Sequence, residues 1–257
     1  MVRRPPSRYR ELPPPAALAP YVSRLWLHEL GPGDVAYEQP VLPDGCVDLV
    51  AVGDQGVELA GPATGPVVLH LDPGTVTVGV RFHPGAAPAL IGERASDLRD
   101  QNVPLQEVWG RLGADVAERA AGNPAPAGRL AAMVDALEVR LGHATAVDPV
   151  GTGIARLLSR SPGAPLHDVA GRFGLSDRQL RRRVEVAVGY PPRTLGRILR
   201  FQRFLEAARS STRARDLAGL AAATGYADQA HLTRESRRLA GLPPAALLDW
   251  EAERLER

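Results

Sequence analysis

The sequence predicts an α+β protein, in which an N-terminal small β barrel or sandwich with helices precedes a C-terminal all-α domain with two tandem helix-turn-helix units. Three observations support this prediction. Short apolar runs between residues 36 and 82 are interrupted by Gly, Pro and Asp, which is typical of β structure. After about residue 148, apolar residues recur at helical spacing. Part of that second region is repeated 52 positions further along the chain.

Charge separates the two regions. Residues 1–150 hold 12 Arg and 18 acidic residues, a net charge of −6, whereas residues 151–257 hold 19 Arg and 11 acidic residues, a net charge of +8. An acidic region joined to a basic one indicates that only the second region meets phosphate groups.

Nothing in the sequence indicates a membrane or secreted protein. No run of 18 apolar residues is present, so no transmembrane helix and no membrane partner are expected. The basic N-terminal residues are not followed by an apolar segment, so no signal peptide is expected. Cys46 is the only cysteine, which excludes an intrachain disulfide and fits a cytoplasmic protein.

The N-terminal region is predicted to consist mainly of short strands. Residues 1–15 are basic and Pro-rich and predict a flexible arm or an extended lead-in, and residues 18–30 predict a strand or a short helix. Residues 41–52 predict two strands joined by a Pro-Asp-Gly turn. Further strands are predicted at residues 56–61, 66–71 and 75–82.

Helical patterns follow the strands. Pro104 suits the first turn of a helix that runs to about Ala121, and a second amphipathic helix is predicted from Arg129 to Leu141. The single apolar stripe of this second helix fits packing on its own domain or against another copy of the chain. The expected divisions are an N-terminal β-rich domain over residues 1–126, a linker helix over 127–147 and a C-terminal domain over 148–257.

The C-terminal region is organised around residues 175–189. Ser176 suits the N-cap of a helix, and Leu180, Val184 and Val188 form one apolar stripe on it. A shift of 52 positions reproduces the pattern. The matched pairs are Ala170 and Ala222, Ser176 and Asp228, Leu180 and Leu232, Arg182 and Arg234, Gly189 and Gly241, Pro191 and Pro243, and Pro192 and Pro244.

Each copy predicts a short helix, a tight turn, a second helix, a Gly stop and a Pro-Pro restart. That order is a helix-turn-helix followed by a new helix. Residues 192–210 are apolar almost all round and predict a central helix that joins the two units and packs on both.

These residues resemble a known family. The tandem arrangement, with ATGYADQAHLTRESRRLAGLPP in its second copy, is similar to the AraC/XylS family of transcription regulators over about 100 residues, from near Asp148 onward. The resemblance implies sequence-specific binding to double-stranded DNA, with the second helix of each unit in a major groove and the two grooves one helical turn apart. RNA polymerase and a second copy of the chain are further candidate partners.

Polar residues of each second helix are the candidate DNA contacts, since the N-terminal half of a recognition helix meets base edges. Arg matches guanine and Gln matches adenine. For Arg182 and Arg234 the alternative role is a salt bridge or a phosphate contact. The candidate DNA-binding residues are Ser176, Arg178, Gln179, Arg181 and Arg182 in the first unit, and Gln229, His231, Thr233 and Arg234 in the second.

The N-terminal domain is the candidate sensor of a small-molecule effector. Its segments PDGCVDL and GVRFHPGAA resemble an uncharacterised domain often found ahead of this type of DNA-binding domain, and that resemblance implies no particular ligand. The His residues lack ligand spacing, so neither a metal site nor a cofactor is predicted. Polar groups among apolar walls suggest an effector pocket, although each also fits a purely structural role. The candidate pocket residues are Trp26, Asp44, Cys46, Asp48, Arg81 and His83.

No catalytic motif is present. The sequence lacks a P-loop, a G-x-S-x-G motif and a dinucleotide-binding Gly pattern, so an enzyme is not expected. The leading prediction is a transcription regulator that responds to a small molecule through its N-terminal domain. Two alternatives stay open: a regulator whose N-terminal domain serves only dimerisation or protein docking, and a small-molecule binding or modifying domain with accessory attachment to DNA.

The second unit departs from the family in its core. Aromatic residues are usual at the apolar positions of this recognition helix, but the chain has Leu232, Ser236 and Ala240 there. Ser236 matches Val184, and its hydroxyl is expected to bond back to the carbonyl four residues earlier. On this basis the second unit is expected to be the less stable one, and Ser236→Leu or Ser236→Phe is expected to raise its melting temperature.

Overall fold

The computed structural model describes residues 8–210 and 215–255 of the chain. The strands are β1 (Arg8–Leu12), β2 (Val22–Glu29), β3 (Tyr37–Val41), β4 (Asp48–Val52), β5 (Val57–Ala60), β6 (Val67–Leu71), β7 (Val76–Phe82) and β8 (Asn102–Pro104). The helices are α1 (Ala87–Ile91), α2 (Leu105–Trp109), α3 (Arg111–Ala121), α4 (Pro126–Leu141), α5 (Pro149–Arg160), α6 (Leu166–Arg172), α7 (Asp177–Val188), α8 (Pro192–Arg209), α9 (Leu217–Ala223), α10 (Gln229–Ala240) and α11 (Pro244–Leu255). The predicted α+β class is therefore confirmed.

Six strands form one antiparallel sheet in the order β1-β2-β7-β4-β5-β8, and β3 pairs with β6 as a separate ribbon. Among the described strands β1 and β8 are the open edges of the sheet, so of the two predicted alternatives, barrel or sandwich, the closed barrel is not formed. Closure is not needed, because helices rather than further strands cover the apolar face of the sheet. Of the arm predicted over residues 1–15, residues 8–12 form β1 and residues 1–7 lie outside the described residues.

The apolar face of the sheet forms the core of the N-terminal domain. Val78, Val80 and Phe82 alternate along β7 and are fully buried, as the strand period of two predicts. Met133 and Leu137 of α4 are fully buried in the same core. The apolar stripe of α4 is thus covered by its own chain.

Two local predictions are wrong. The turn at residues 43–45 does not close a hairpin, because β3 pairs with β6 while β4 pairs with β5 and β7. The turn lies against α8 instead, where Gln202 Nε2 donates a hydrogen bond to the Pro43 carbonyl at 2.6 Å. The helix predicted to run to about Ala121 is divided into α2 and α3 at Gly110, whose φ of 56° and ψ of −128° are not helical.

Helices α5 to α11 enclose a second core, with α8 at its centre. Phe201 and Phe204 of α8 are fully buried, and their ring centroids lie 6.0 Å apart. The same helix packs on α5, α7, α9 and α10. One helix therefore supports both helix-turn-helix units, α6 with α7 and α9 with α10, as its apolar sequence predicts.

Ser236 is bonded differently from the expectation. Its side chain is fully buried, and its Oγ donates to the Leu242 carbonyl at 2.7 Å, beyond the end of α10. The bond to the carbonyl four residues earlier is therefore a wrong prediction. This hydrogen bond links the connection between α10 and α11 to α10 itself. Ser236 therefore stabilises the second helix-turn-helix unit rather than destabilising it.

We now expect both Ser236→Ala and Ser236→Leu to destabilise the protein. Ser236→Ala should lower the free energy of unfolding by about 1–3 kcal/mol, since the Leu242 carbonyl loses its buried donor. Ser236→Leu adds overpacking to that loss. Chemical denaturation of the full chain measures the free energy of unfolding of both variants. Ser159→Ala is a suitable control, because the Ser159 hydroxyl donates to the Ala155 carbonyl of its own helix at 2.9 Å. A higher melting temperature for Ser236→Leu would contradict this expectation.

Candidate nucleic-acid interface

A capping box fixes the start of α7. The Ser176 Oγ accepts a hydrogen bond from the Gln179 backbone N–H at 3.3 Å, and the Gln179 Oε1 accepts one from the Ser176 backbone N–H at 2.9 Å. The predicted N-cap is confirmed. The side-chain oxygens of these two candidate DNA contacts are thus engaged in the cap, so their structural role is to hold the first turn of α7 in place.

The exposed side of α7 carries three guanidiniums. The side chains of Arg178, Arg181 and Arg182 are exposed, and none of them forms an ion pair within the described part of the chain. The next residue differs, because Arg183 Nη1 donates to Asp148 Oδ1 at 2.9 Å. One side of the helix therefore presents positive charge to solvent, while the neighbouring arginine is used within the fold.

The corresponding helix α10 begins at a capping aspartate. Asp228 Oδ1 accepts a hydrogen bond from the His231 backbone N–H at 2.6 Å, which confirms the second predicted N-cap. The His231 ring meets the Tyr226 ring edge-on at a centroid distance of 5.2 Å. Thr233 Oγ1 donates to the Gln229 carbonyl at 2.8 Å. Packing and local hydrogen bonds therefore restrict His231 and Thr233 before any DNA is bound.

A shallow, open surface lies along the outer side of α10. Arg237 belongs to this surface, although it is not among the predicted DNA contacts. Arg237 lies eight residues after Gln229, so both are on one face of α10. This helical spacing is the sequence signal from which Arg237 could have been predicted. It matches Glu185 in the repeat, so the two units carry opposite charges at this point. The residues that line the surface are Gln229, Ala230, Thr233, Arg234 and Arg237.

Contacts with α8 fix α10 relative to the first unit. Arg197 of α8 donates two hydrogen bonds to the Glu235 carboxylate of α10, both 2.8 Å long. The Arg200 guanidinium lies 5.7 Å from the centroid of the Tyr226 ring. Since α7 also packs on α8, both helices that carry candidate DNA contacts are held on one support.

A loop of the N-terminal domain reaches the C-terminal ends of both α7 and α10. Residues 61–66, with the sequence GPATGP, connect β5 to β6, and we call them the cap loop. A β-carbon placed on Gly189, the C-cap of α7, would collide with Cγ of Pro62. A β-carbon placed on Gly241, the C-cap of α10, would lie 3.8 Å from Cγ of Pro66. One short loop thus contacts two glycines that the sequence repeat relates to each other.

The N-terminal domain also supplies hydrogen-bond donors to the end of α7. The Ala95 backbone N–H donates to the Val186 carbonyl at 3.0 Å, and Arg99 Nη1 donates to the Gly189 carbonyl at 3.3 Å. The last carbonyls of a helix have no partner within the helix. The C-terminal end of α7 is therefore completed by groups from the other domain.

Hydrogen bonds hold the cap loop from both sides. The buried Tyr190 hydroxyl donates to the Ala63 carbonyl at 2.9 Å, and burial raises the pKa of this hydroxyl, which keeps it protonated. The Thr64 backbone N–H donates to Asp100 Oδ1 at 2.6 Å within the N-terminal domain. The position of the loop therefore depends on both domains at once.

Three of the six residues predicted for the effector pocket, Asp44, Asp48 and Arg81, form an ionic cluster. Trp26, Asp48 and Arg81 share the sheet face opposite the apolar core. Arg81 donates to both carboxylate oxygens of Asp48, with Nη2 to Oδ2 at 2.8 Å, and its Nη1 lies 3.0 Å from Asp44 Oδ2. Burial raises the pKa of the adjacent Cys46 thiol. Within this cluster the charged groups are bound to one another.

His83 lies apart from the other predicted pocket residues. It follows β7, with its Nε2 3.3 Å from the Ala19 carbonyl oxygen, and it faces α5 of the C-terminal domain. Over residues 8–210 and 215–255, no three His, Cys, Asp or Glu side chains are grouped to hold a metal ion. No helix in those two ranges is long and apolar enough to cross a bilayer.

The paired helix-turn-helix units and their exposed guanidiniums define a DNA-binding protein with a separate N-terminal domain. Family comparisons agree with this class. Residues 169–249 match a helix-turn-helix domain, and residues 10–104 match a domain of unknown function, DUF6597. By this match the chain contains a helix-turn-helix domain, a motif that binds DNA.

Among solved structures the chain is similar to ToxT from Vibrio cholerae. One ToxT crystal structure has 11% sequence identity and a TM-score of 0.48, covering 88% of this chain and 96% of ToxT. A ToxT structure from another crystal form has 10% sequence identity and a TM-score of 0.45, covering 95% of this chain and 97% of ToxT. A structure of ToxT with a bound unsaturated fatty acid has 10% sequence identity and a TM-score of 0.42, covering 94% of each chain. No curated protein matches the chain by sequence.

Proposed function

We propose that the protein regulates transcription by binding a two-part operator through α7 and α10, and that its N-terminal domain responds to a small molecule. The observation that carries this proposal is the contact of the cap loop with the C-terminal ends of both helices. Because the loop belongs to the N-terminal domain, a change in that domain is transmitted to both DNA-reading elements together.

The DNA-reading role rests on the side chains that α7 and α10 leave exposed. Guanidinium forks bind guanine edges and phosphates bidentately, and the amide of Gln229 suits adenine. Ser176 and Gln179 act by fixing the first turn of α7. The proposed contacts are Arg178, Arg181 and Arg182 in the first unit, and Gln229, His231, Thr233, Arg234 and Arg237 in the second.

The proposal assigns a different role to each of the two domains. The N-terminal core, which includes α4, senses the effector, and residues 148–257 bind DNA. This role requires no catalysis and places the protein in the cytoplasm. RNA polymerase and a second copy of the chain are the protein partners that such a regulator would use.

Selection of sequences from randomised duplex DNA by the full chain, followed by footprinting, tests the DNA-binding proposal. We expect one selected site with two protected half-sites, about 10–10.5 base pairs apart from centre to centre. Arg234→Ala should relax the base preference in one half-site only, because α10 reads only that half. The proposal fails if moderate salt abolishes all sequence enrichment, or if only a single half-site is protected.

A further inference from the structure

A second contact between the domains leaves a cleft beside α5. The cleft has a volume of about 190 Å³. His83 and Pro84, which follow β7, form part of one wall. The other wall is α5, which contributes Arg156, Ser159 and Arg160.

The geometry of α5 brings these side chains together. Residues 156, 159 and 160 are three and four positions apart, so they share one face of the helix. The two walls meet at Thr152, because a β-carbon placed on Gly85 would lie 3.4 Å from Thr152 Cγ2. The cleft is therefore closed on one side by direct contact between the domains.

The cleft carries positive charge without a neutralising partner. The side chains of Arg156 and Arg160 are exposed, and neither forms an ion pair within the described ranges. No Asp or Glu lines the cleft. By contrast, the less exposed guanidiniums of Arg81 and Arg197 are paired with carboxylates. An anion would therefore complement the charge of this cleft.

We propose that this cleft binds the carboxylate or phosphate group of a small molecule between Arg156 and Arg160. Guanidinium forks make parallel hydrogen bonds to either kind of oxyanion. The volume of the cleft is below the roughly 300–1,000 Å³ of drug-sized sites, so the cleft accommodates an anionic group rather than a whole drug-sized molecule. This inference rests on the proposed function, since it names the class of small molecule that would act at the contact between the two domains.

Ligand binding at this cleft would act on the contact between the domains. His83 and Pro84 belong to the N-terminal domain, whereas both arginines belong to the C-terminal domain. A ligand that fills the cleft stabilises the arrangement in which the walls are close, by mass action. In that arrangement the cap loop rests on α7 and α10, so occupancy of the cleft and the position of the DNA-reading helices are linked.

Calorimetric titration of the full chain without DNA tests the site. The probes are sodium phosphate and sodium succinate at ionic strength matched with sodium chloride, and succinamide is the neutral control. We expect at least one anion to bind, and succinamide not to. Arg156→Gln combined with Arg160→Gln should raise the Kd about tenfold or more. Arg111→Gln, which changes an exposed arginine of α3 away from the cleft, should leave the Kd unchanged.

Three results would overturn the inference. The first is no binding of either anion, and the second is equal anion affinity in the double variant and the unchanged protein. The third is that the double variant binds every DNA sequence more weakly with a salt slope lower by about two, which would assign both arginines to DNA phosphates. The titration contains no DNA, so its failure is distinct from a failure of sequence selection, which would contradict the proposed function itself.

Discussion

Gly189→Ala is expected to lower the free energy of unfolding of the full chain by about 2–5 kcal/mol. Gly189 ends α7 with a φ of 90°, where a β-carbon costs about 1–2 kcal/mol. The added methyl group would also collide with Pro62 and lie 2.9 Å from the Ala95 carbonyl oxygen. Overpacking of this kind costs about 1–3 kcal/mol more. The variant should therefore loosen the contact between the cap loop and α7.

Gly241→Ala is the matched control for that experiment. Gly241 ends α10 in the same way, with a φ of 72°, but Pro66 would be only in ordinary van der Waals contact with its new methyl group. Only the backbone cost of about 1–2 kcal/mol is expected. Chemical denaturation measures the free energy of unfolding of both variants. Hydrogen exchange of the Ala95 amide, which bonds to the Val186 carbonyl, reports separation of the N-terminal domain from α7. Equal destabilisation, with no faster exchange in Gly189→Ala, would show that the cap loop does not hold α7.

Arg181→Ala combined with Arg182→Ala is expected to weaken operator binding about 30-fold or more. Each base contact by an arginine is worth about 1–3 kcal/mol of discrimination, and about 1.4 kcal/mol corresponds to a tenfold change. The loss of base discrimination should be confined to the half-site that α7 contacts. If both side chains contact phosphates instead, all sequences should weaken alike and the salt slope should fall by about one per residue.

Arg183→Ala is the control on the same helix. Its guanidinium is paired with Asp148, and both side chains are partly exposed, so the loss of stability should stay below about 1 kcal/mol. Operator affinity should remain close to that of the unchanged protein when binding isotherms are compared at one salt concentration. A loss as large as that of the double variant would mean that the DNA-reading face of α7 is wrongly assigned.

The C-terminal domain was largely predictable because its signals are local. Ser176 and Asp228 mark the two N-caps and Gly189 marks a helix end, and each acts within one turn of its own helix. The N-terminal strands could be located in the same way, but their partners could not. Strand β4 pairs with the distant β7, and strand pairing leaves no periodic mark in the sequence.

Residues of the candidate DNA interface could be predicted from the sequence only where they lie on the same helix as one another. The exposed arginines of α7 follow from helical spacing, whereas Arg237 required the full face of α10 to be considered. The cap loop gave no signal beyond that of a turn, because the Tyr190 hydroxyl bonds to a carbonyl 127 residues away. The sequence likewise supplied Asp48 and Arg81 as polar residues, but only the sheet register shows that they neutralise each other.

Under the proposed function, the influence between the two domains is reciprocal. The loop touches the C-terminal ends of α7 and α10, and the residues proposed to read DNA lie on the same two helices. If a ligand of the N-terminal domain changes operator affinity by some factor, operator DNA must change ligand affinity by the same factor. The promoter is then an allosteric effector of the sensor, so ligand affinity measured on the free protein will differ from its affinity on DNA.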